Sequence, residues 1–210
     1  MANCPLCSSR SAKRYCPAVA EQICPVCCGT KREVEIDCPS SCAYLKSSRS
    51  YESEKPIPDP EVAAKVHNYD GRFFERYHLI LDSLTRTIIE EHVVASRDLV
   101  DSDVIRVFDA LKTTMKTLSS GIYYESLPEG LVRQSLFRRL KELIDELMQP
   151  DPSGLRPVLK VTEVIDIIDF ITVVAQANSS VRSRSRRYLD WITEKFSDRV
   201  QTQSSGIILP

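Results

Sequence analysis

Residues 14–42 read RYCPAVAEQICPVCCGTKREVEIDCPSSC, and they hold six of the eight cysteines in this 210-residue chain. The other two, Cys4 and Cys7, lie just before this stretch, so the last 168 residues contain no cysteine. Even scattering would not produce such a division. It predicts a small N-terminal module organised by thiol chemistry, followed by a part of a different kind.

Four of the cysteines form two C-x2-C pairs, CPLC at residues 4–7 and CPVC at residues 24–27. Such a pair places two thiolates on one tight turn, at a separation that a tetrahedral zinc centre with Zn–S bonds of about 2.3 Å can use. Eight cysteines are enough for two complete four-thiolate centres. We therefore predict two structural Zn2+ ions, because full thiolate ligation leaves no open position for a catalytic water.

Three other uses of the cysteines are less favoured. A disulfide framework is typical of an oxidising compartment, and the adjacent Cys27 and Cys28 suit it poorly. An iron–sulfur cluster would also take four thiolates, but the spacings differ from those of ferredoxins. A thioredoxin-like redox role for CPVC would need a surrounding βαβ unit, which the sequence lacks.

The eight cysteines can be divided between two ions in two ways. A sequential division gives the first ion Cys4, Cys7, Cys16 and Cys24, which splits the CPVC pair. An interleaved division keeps both pairs whole, and it is the one we predict. Its first site is Cys4, Cys7, Cys24 and Cys27, and its second site is Cys16, Cys28, Cys38 and Cys42.

The pattern C-x2-C-x8-C-x7-C-x2-C, with Tyr15 before the third cysteine and Ile23 before the fourth, resembles the B-box zinc finger. The resemblance covers about 40 of the 210 residues. It implies the cross-brace topology of two interleaved zinc sites that B-boxes share with RING domains, with both C-x2-C pairs on the first ion. It also implies a role in protein interaction or self-association.

The sequence departs from the B-box pattern around the second site. Val19 stands where the family has an acidic or cysteine ligand, and Cys28 is the candidate substitute. The closing pair, normally two histidines, is here Cys38 and Cys42, which follow the longer insert TKREVEID. We therefore describe residues 1–46 as a B-box-like module.

Charge gives little indication of a partner. The formal net charge is −1, so there is no general electrostatic attraction to nucleic acid or to an anionic membrane. The Arg182–Arg187 segment is interpreted as the solvated start of the last helix, neutralised by Asp190 and Glu194. The alternative is a nucleic-acid-binding regulator that uses this segment and the zinc knuckles.

Basic residues also flank the cysteines, and we interpret them as compensation for the charge of two Zn–S4 centres: Arg10, Lys13, Arg14, Lys31 and Arg32.

The cysteine-free part shows helical periodicity. Residues 47–58 are predicted to be a linker, residues 59–198 an all-α bundle of about five helices, and residues 199–210 a flexible tail. The first helix is expected to start at Asp59-Pro60 and to bend at Asp70-Gly71. The others are predicted to follow Asp101, to run from about Pro128 to Pro150, to begin near Thr162, and to lie around residues 186–196. The fourth helix, apolar on nearly every side, is expected to lie at the centre of the bundle.

Neither an enzyme nor a membrane protein is indicated. His67, His78 and His92 lie on one side of the predicted first helix, but a rise of about 1.5 Å per residue puts them about 16 and 21 Å apart, too far to share a metal. The N-terminus lacks an apolar signal segment, and the apolar run Val161–Ala177 contains three acids. The sequence therefore predicts a non-enzymatic, zinc-binding protein-interaction or scaffold protein of the cytoplasm. We expect it to contact another protein or a second copy of itself, and no small-molecule substrate is apparent.

Overall fold

The computed structural model describes residues 2–53, 64–65, 69–95, 98–121, 123–150 and 158–204. Within these ranges the chain is mostly helical, with seven α-helices and two short β-strands. The predicted helix start at Asp59-Pro60 and residues 205–210 of the predicted tail lie outside the described residues.

The N-terminal module is built on one hairpin and one short helix. Strands β1 (Arg14–Cys16) and β2 (Glu21–Ile23) pair antiparallel. Ala20 lies in the turn between them in the left-handed region, with a φ of 58°. Helix α1 (Pro25–Thr30) begins soon after β2, and proline suits its first position because the N–H that proline lacks would have no partner in the helix. The second C-x2-C pair therefore spans the start of α1.

The structure differs from the predicted linker at residues 47–53, which are helical. Helix α2 spans Ala43–Ser53. Its Leu45 is buried, and its Arg49 forms ion pairs with Glu33 and Asp190. A serine-rich composition favours a linker only where no tertiary contact holds the segment, and here these contacts outweigh the modest helix propensity of serine.

Five further helices form the bundle, so the prediction that this part is helical is confirmed. They all contribute side chains to one buried core. The cysteines form a second buried cluster that shares no residue with it. The five helices are α3 (Gly71–Glu90), which continues into a π-helical turn at Glu91–Ala95, α4 (Asp101–Ser119), α5 (Leu131–Leu147), α6 (Val161–Asn178) and α7 (Arg187–Ser204).

Helix α3 begins where a bend is predicted. Asp70 caps it by accepting a hydrogen bond from the N–H of Phe73 at 3.0 Å, and Gly71 is its first residue. Tyr69 and Asp70 are not helical. The Asp70-Gly71 pair is thus a helix start, because an aspartate side chain satisfies an N–H group that a continuous helix would already have paired.

Helix α6 packs against α3, α4 and α7. Its acids are paired where they meet neighbouring helices. Glu163 accepts a hydrogen bond from the Tyr77 hydroxyl at 2.9 Å, and Asp169 pairs with Lys112. The long apolar run is therefore a packed helix of the bundle, and none of the helices in the described ranges is long and apolar enough to cross a bilayer.

Candidate metal centre

Four thiols meet in the N-terminal module. The sulfur atoms of Cys4, Cys7, Cys24 and Cys27 all lie within 4.8 Å of one another. The Cys7 and Cys24 sulfurs are 3.9 Å apart, which matches the edge of about 3.8 Å that Zn–S bonds of about 2.3 Å imply for a tetrahedron. A disulfide bond would need about 2 Å. These four residues could hold one metal ion, and they are the set that the interleaved division assigns to its first site.

Each C-x2-C pair is shaped by its own backbone. The N–H groups of Cys7 and Ser8 donate to the Cys4 carbonyl at 3.3 and 2.7 Å, and Ser8 turns the chain with a φ of 53°. In the second pair, Cys24 is the N-cap of α1, and its sulfur accepts the N–H of Cys27 at 3.3 Å. Both turns involve only neighbouring residues, which is why spacing alone predicts them.

Backbone hydrogen bonds bring the two pairs together. The N–H of Lys13 donates to the Ile23 carbonyl, and the N–H of Ala12 donates to the Ala2 carbonyl, both at 3.0 Å. Ile23 is buried and immediately precedes Cys24. The hairpin therefore positions the second C-x2-C pair beside the first.

The four thiols differ in their electrostatics. Hydrogen bonds from Ser9 lower the pKa of the Cys7 thiol to about 5, whereas burial raises the pKa of the Cys27 thiol to about 12. Arg10 interacts with Cys24 and Cys7, and these contacts raise the pKa of its guanidinium. Four thiolates held together need a cation to neutralise them, and a divalent metal both supplies the charge and deprotonates the thiols it binds.

The other four cysteines are not assembled in the same way. No three of the sulfurs of Cys16, Cys28, Cys38 and Cys42 meet the 4.8 Å limit, so the first set is the only such group in the part of the chain described. Cys28 accepts a hydrogen bond from the Arg32 guanidinium at 3.6 Å. Burial raises the pKa of the Cys38 thiol, and the nearby charges of Cys16 and Cys42 raise it further. The structure thus places three of the second-site cysteines near one another, and Cys28 against Arg32.

Several of the basic residues around the cysteines have partners within the module. Arg10 and Arg32 interact with thiols, as described above. Lys31 forms an ion pair at 2.6 Å with the acid four residues along. The Arg14 guanidinium lies 4.7 Å from the ring centroid of Tyr44. Arg10 and Arg32 are thus the members of the set that contact thiols directly.

The insert TKREVEID, residues 30–37 of the module, contacts the bundle. Its Glu33 is buried and adopts a φ of 53°. The Glu33 carboxylate accepts a hydrogen bond from Arg49 at 2.7 Å and lies 3.8 Å from the Arg182 guanidinium. The Glu33 carbonyl accepts the N–H of Arg184 at 2.9 Å. One acidic residue therefore contacts both α2 and the segment that leads into α7.

Two further ion pairs extend this interface. Asp190 on α7 accepts a hydrogen bond from Arg49 and another from the Ser40 hydroxyl, the latter at 2.7 Å. Arg186, which is buried, pairs with Asp37. The module and the bundle are therefore in direct contact through polar side chains.

These contacts correct the expected partners of the Arg182–Arg187 segment. The sequence assigns Asp190 and Glu194 to neutralise the segment, but Asp190 pairs with Arg49. Ion pairs therefore engage three of the four arginines of the segment, Arg182, Arg186 and Arg187. The acids that pair with the segment lie in the module and on α2: Glu33, Asp37 and Glu52.

We expect Arg49→Met to lower the free energy of unfolding by about 2 kcal/mol, because it removes the nearest cation from the buried carboxylate of Glu33. Chemical denaturation measures the effect. Arg72→Met is the matched control, since its pair with Asp70 is exposed on both sides and should contribute less than about 0.5 kcal/mol. Equal losses for the two variants would contradict a stabilising interface.

Two of the three histidines, His78 and His92, lie within the described residues. No histidine joins a metal-ligand group among the residues with assigned positions. The Nδ1 atom of His78 lies 3.1 Å from the Glu75 carbonyl of its own helix. His92 is half-buried, and burial lowers the pKa of its imidazole. His67 lies outside the described residues.

Comparison with known proteins identifies no relative. No family model matches the chain, and no curated protein and no solved structure matches it. The function is therefore inferred from the residues and contacts of the chain itself.

Proposed function

We propose that this protein is a non-enzymatic, zinc-binding interaction or scaffold protein of the cytoplasm. Its B-box-like module is stabilised by structural zinc and held against a helical bundle. The observation that carries the proposal is the cluster of Cys4, Cys7, Cys24 and Cys27, whose sulfurs lie within 4.8 Å of one another. Soft thiolates select zinc over magnesium or calcium. Four of them fill its coordination sphere, which leaves no position for a reacting water.

The proposal includes a second zinc ion at Cys16, Cys28, Cys38 and Cys42. This site depends on Cys28, because Val19 cannot bind a metal. The Cys28 thiol lies 3.6 Å from the Arg32 guanidinium. Arg32 can continue to donate to that sulfur once it is a metal-bound thiolate, as partners of metal ligands commonly do. To bind an ion, the four thiols of the second site must therefore move together while Cys28 keeps its contact with Arg32.

The module presents large apolar side chains to solvent, which supports a surface for another protein or for a second copy of the chain. Tyr15 is 55% exposed and Val26 47%. Val26 lies inside the second C-x2-C pair, so a bound ion would fix its position. Aromatic side chains are favoured at protein interfaces because they bury a large area and lose little conformational entropy.

Purified protein is expected to contain two zinc ions per chain and no iron. The reason is that the two sets of four cysteines each supply a complete thiolate shell. Elemental analysis with a protein concentration from amino-acid analysis gives the ratio. One zinc per chain would reject the second site and keep the first, and a cluster that absorbs visible light would reject zinc as the metal.

The interaction role is tested with the double variant Tyr15→Ser/Val26→Ser, which changes the surface without removing a ligand. The expected result is an unchanged zinc content together with the loss of protein partners, or of self-association measured by sedimentation. A salt-dependent shift of labelled RNA or DNA by the wild-type protein would instead support the nucleic-acid-binding alternative.

A further inference from the structure

Helices α3, α6 and α7 surround a cavity of about 260 Å3 whose walls are mostly apolar. An engineered cavity of about 150 Å3 holds benzene, so this cavity has room for a ring that carries a short chain. Aromatic side chains dominate the walls, and they come from all three helices: Phe74, Phe170, Tyr188, Trp191 and Phe196.

The aromatic walls are held by contacts with one another. The ring centroids of Phe74 and Phe170 lie 5.2 Å apart in an edge-to-face arrangement, and those of Tyr188 and Trp191 lie 6.3 Å apart. Tyr188 is 2% exposed, whereas Phe74 and Trp191 are 41% and 37% exposed. The cavity therefore has a closed interior and an open mouth.

Charged side chains lie at the mouth of the cavity. Lys195 lines it and forms no ion pair within the described ranges, while Asp82 already interacts with another residue. Arg86 lies beside the mouth, with its guanidinium 5.0 Å from the ring centroid of Phe196. Lys195 is thus the permanent cation of the lining, the acid of the lining is already engaged, and a negatively charged group complements Lys195.

We propose that this cavity binds a small amphipathic carboxylate. The hydrocarbon part, a ring or a short branched chain, lies among the aromatic side chains, and the carboxylate pairs with Lys195. An apolar pocket with a few converging polar groups is the usual form of a small-molecule site. This function is separate from the interaction role proposed above, because the cavity contains no residue of the cysteine module.

The single tryptophan of the chain makes the test direct, because Trp191 lines the cavity. 3-Phenylpropionate is the probe, and its isosteric neutral amide, 3-phenylpropanamide, is the matched ligand. We expect saturable change in tryptophan emission with the acid and about fivefold weaker binding of the amide, which cannot form the ion pair. Absence of a saturable change, or equal affinity for the two compounds, would overturn the proposal.

Two variants locate the binding. Lys195→Met should weaken the acid about fivefold and leave the amide unchanged, whereas Lys116→Met, on an exposed face of α4, should change neither. Val174→Phe places a ring in the cavity and should abolish binding of both compounds. Thermal melting of each variant establishes that it is folded. Wild-type affinity in Val174→Phe would overturn the assignment to this cavity.

Other occupants of the cavity give different results. If a second copy of the chain fills it, tryptophan emission of the free protein will depend on protein concentration, and sedimentation will show a dimer that Val174→Phe dissociates. If residues 205–210 fill it, their deletion will shift the emission of the free protein to longer wavelength and tighten binding of the probe. Either result would overturn the proposal that a small carboxylate is the natural occupant.

Discussion

Cys24→Ser is expected to release the first metal ion and to unfold the N-terminal module, while the helical bundle persists. Cys24 is both a member of the four-thiol cluster and the N-cap of α1, so its loss affects the ion and the helix together. A structural zinc site contributes on the order of 10 kcal/mol or more to folding, and the small cysteine cluster has no comparable core of its own. The bundle core contains no residue of the module, so most of the helical signal should remain. Zinc content and far-ultraviolet circular dichroism measure the two effects.

Cys28→Ser is the comparison for this variant. It leaves the four-thiol cluster intact, so the first ion should stay bound, and the proposed second ion should be lost. Full zinc content in Cys28→Ser would show that Cys28 is a buried side chain that contacts Arg32 and ligates no metal. Loss of most helical signal in Cys24→Ser would show that the module and the bundle form one cooperative unit.

The first site is predictable from the sequence because its geometry is local. Each C-x2-C pair is a turn closed by hydrogen bonds between residues at most four apart, such as those from Cys7 and Ser8 to the Cys4 carbonyl. Spacing is then sufficient to predict which thiols lie together within a pair. The β1–β2 hairpin brings the two pairs together, and it is itself formed by residues close in the sequence.

The surroundings of the second set are not predictable in this way. Glu33 lies in the insert between Cys28 and Cys38, and its conformation is set by Arg49 and by the N–H of Arg184. These residues are distant in the sequence and belong to no motif. The sequence indicates only that the insert is long and charged, so the interface with the bundle could not be anticipated.

The same distinction explains the helices. Those of the bundle follow from apolar periodicity, which a local pattern reveals. Helix α2 does not, because its serine-rich residues become helical only with Leu45 buried and Arg49 in ion pairs. The cavity beside Trp191 is equally invisible in the sequence, since its lining comes from three helices whose relative placement only the packing determines.

The sequence correctly predicts a helix start at Asp101, but it does not reveal the groups that the Asp101 side chain contacts. Asp101 begins α4, where the sequence predicts a helix start, but its carboxylate caps another helix. It accepts hydrogen bonds from the Ser185 hydroxyl at 2.8 Å and from the N–H groups of Tyr188 and Leu189, both at 3.2 Å. Its own N–H donates to the Ser185 carbonyl at 2.9 Å. An acid from α4 thus satisfies the first N–H groups of α7, next to the arginines that contact the module.

Asp101→Ala is expected to lower the free energy of unfolding by about 3–5 kcal/mol, because it leaves one hydroxyl and two N–H groups buried without an acceptor. Asp109→Ala, an exposed acid on the same helix, is the matched control and should cost less than about 0.5 kcal/mol. Asp101→Asn keeps an acceptor oxygen and should fall between them. Urea denaturation of the three variants decides the order, and a loss below about 1 kcal/mol for Asp101→Ala would mean that water replaces the carboxylate.

The charge of Asp101 adds a pH signature to this prediction. Burial raises the pKa of its carboxyl from 3.8 to about 6. Because the folded-state pKa lies above the unfolded-state value, the folded protein holds the proton more tightly, and this contribution to stability is lost as the pH rises from about 4 to about 6. Asp101→Asn has no proton to lose, so the stability difference between wild-type and Asp101→Asn protein should shift against the wild type across this interval. A difference that is constant with pH would show that the hydrogen bonds from α7 offset burial and keep the carboxyl ionised.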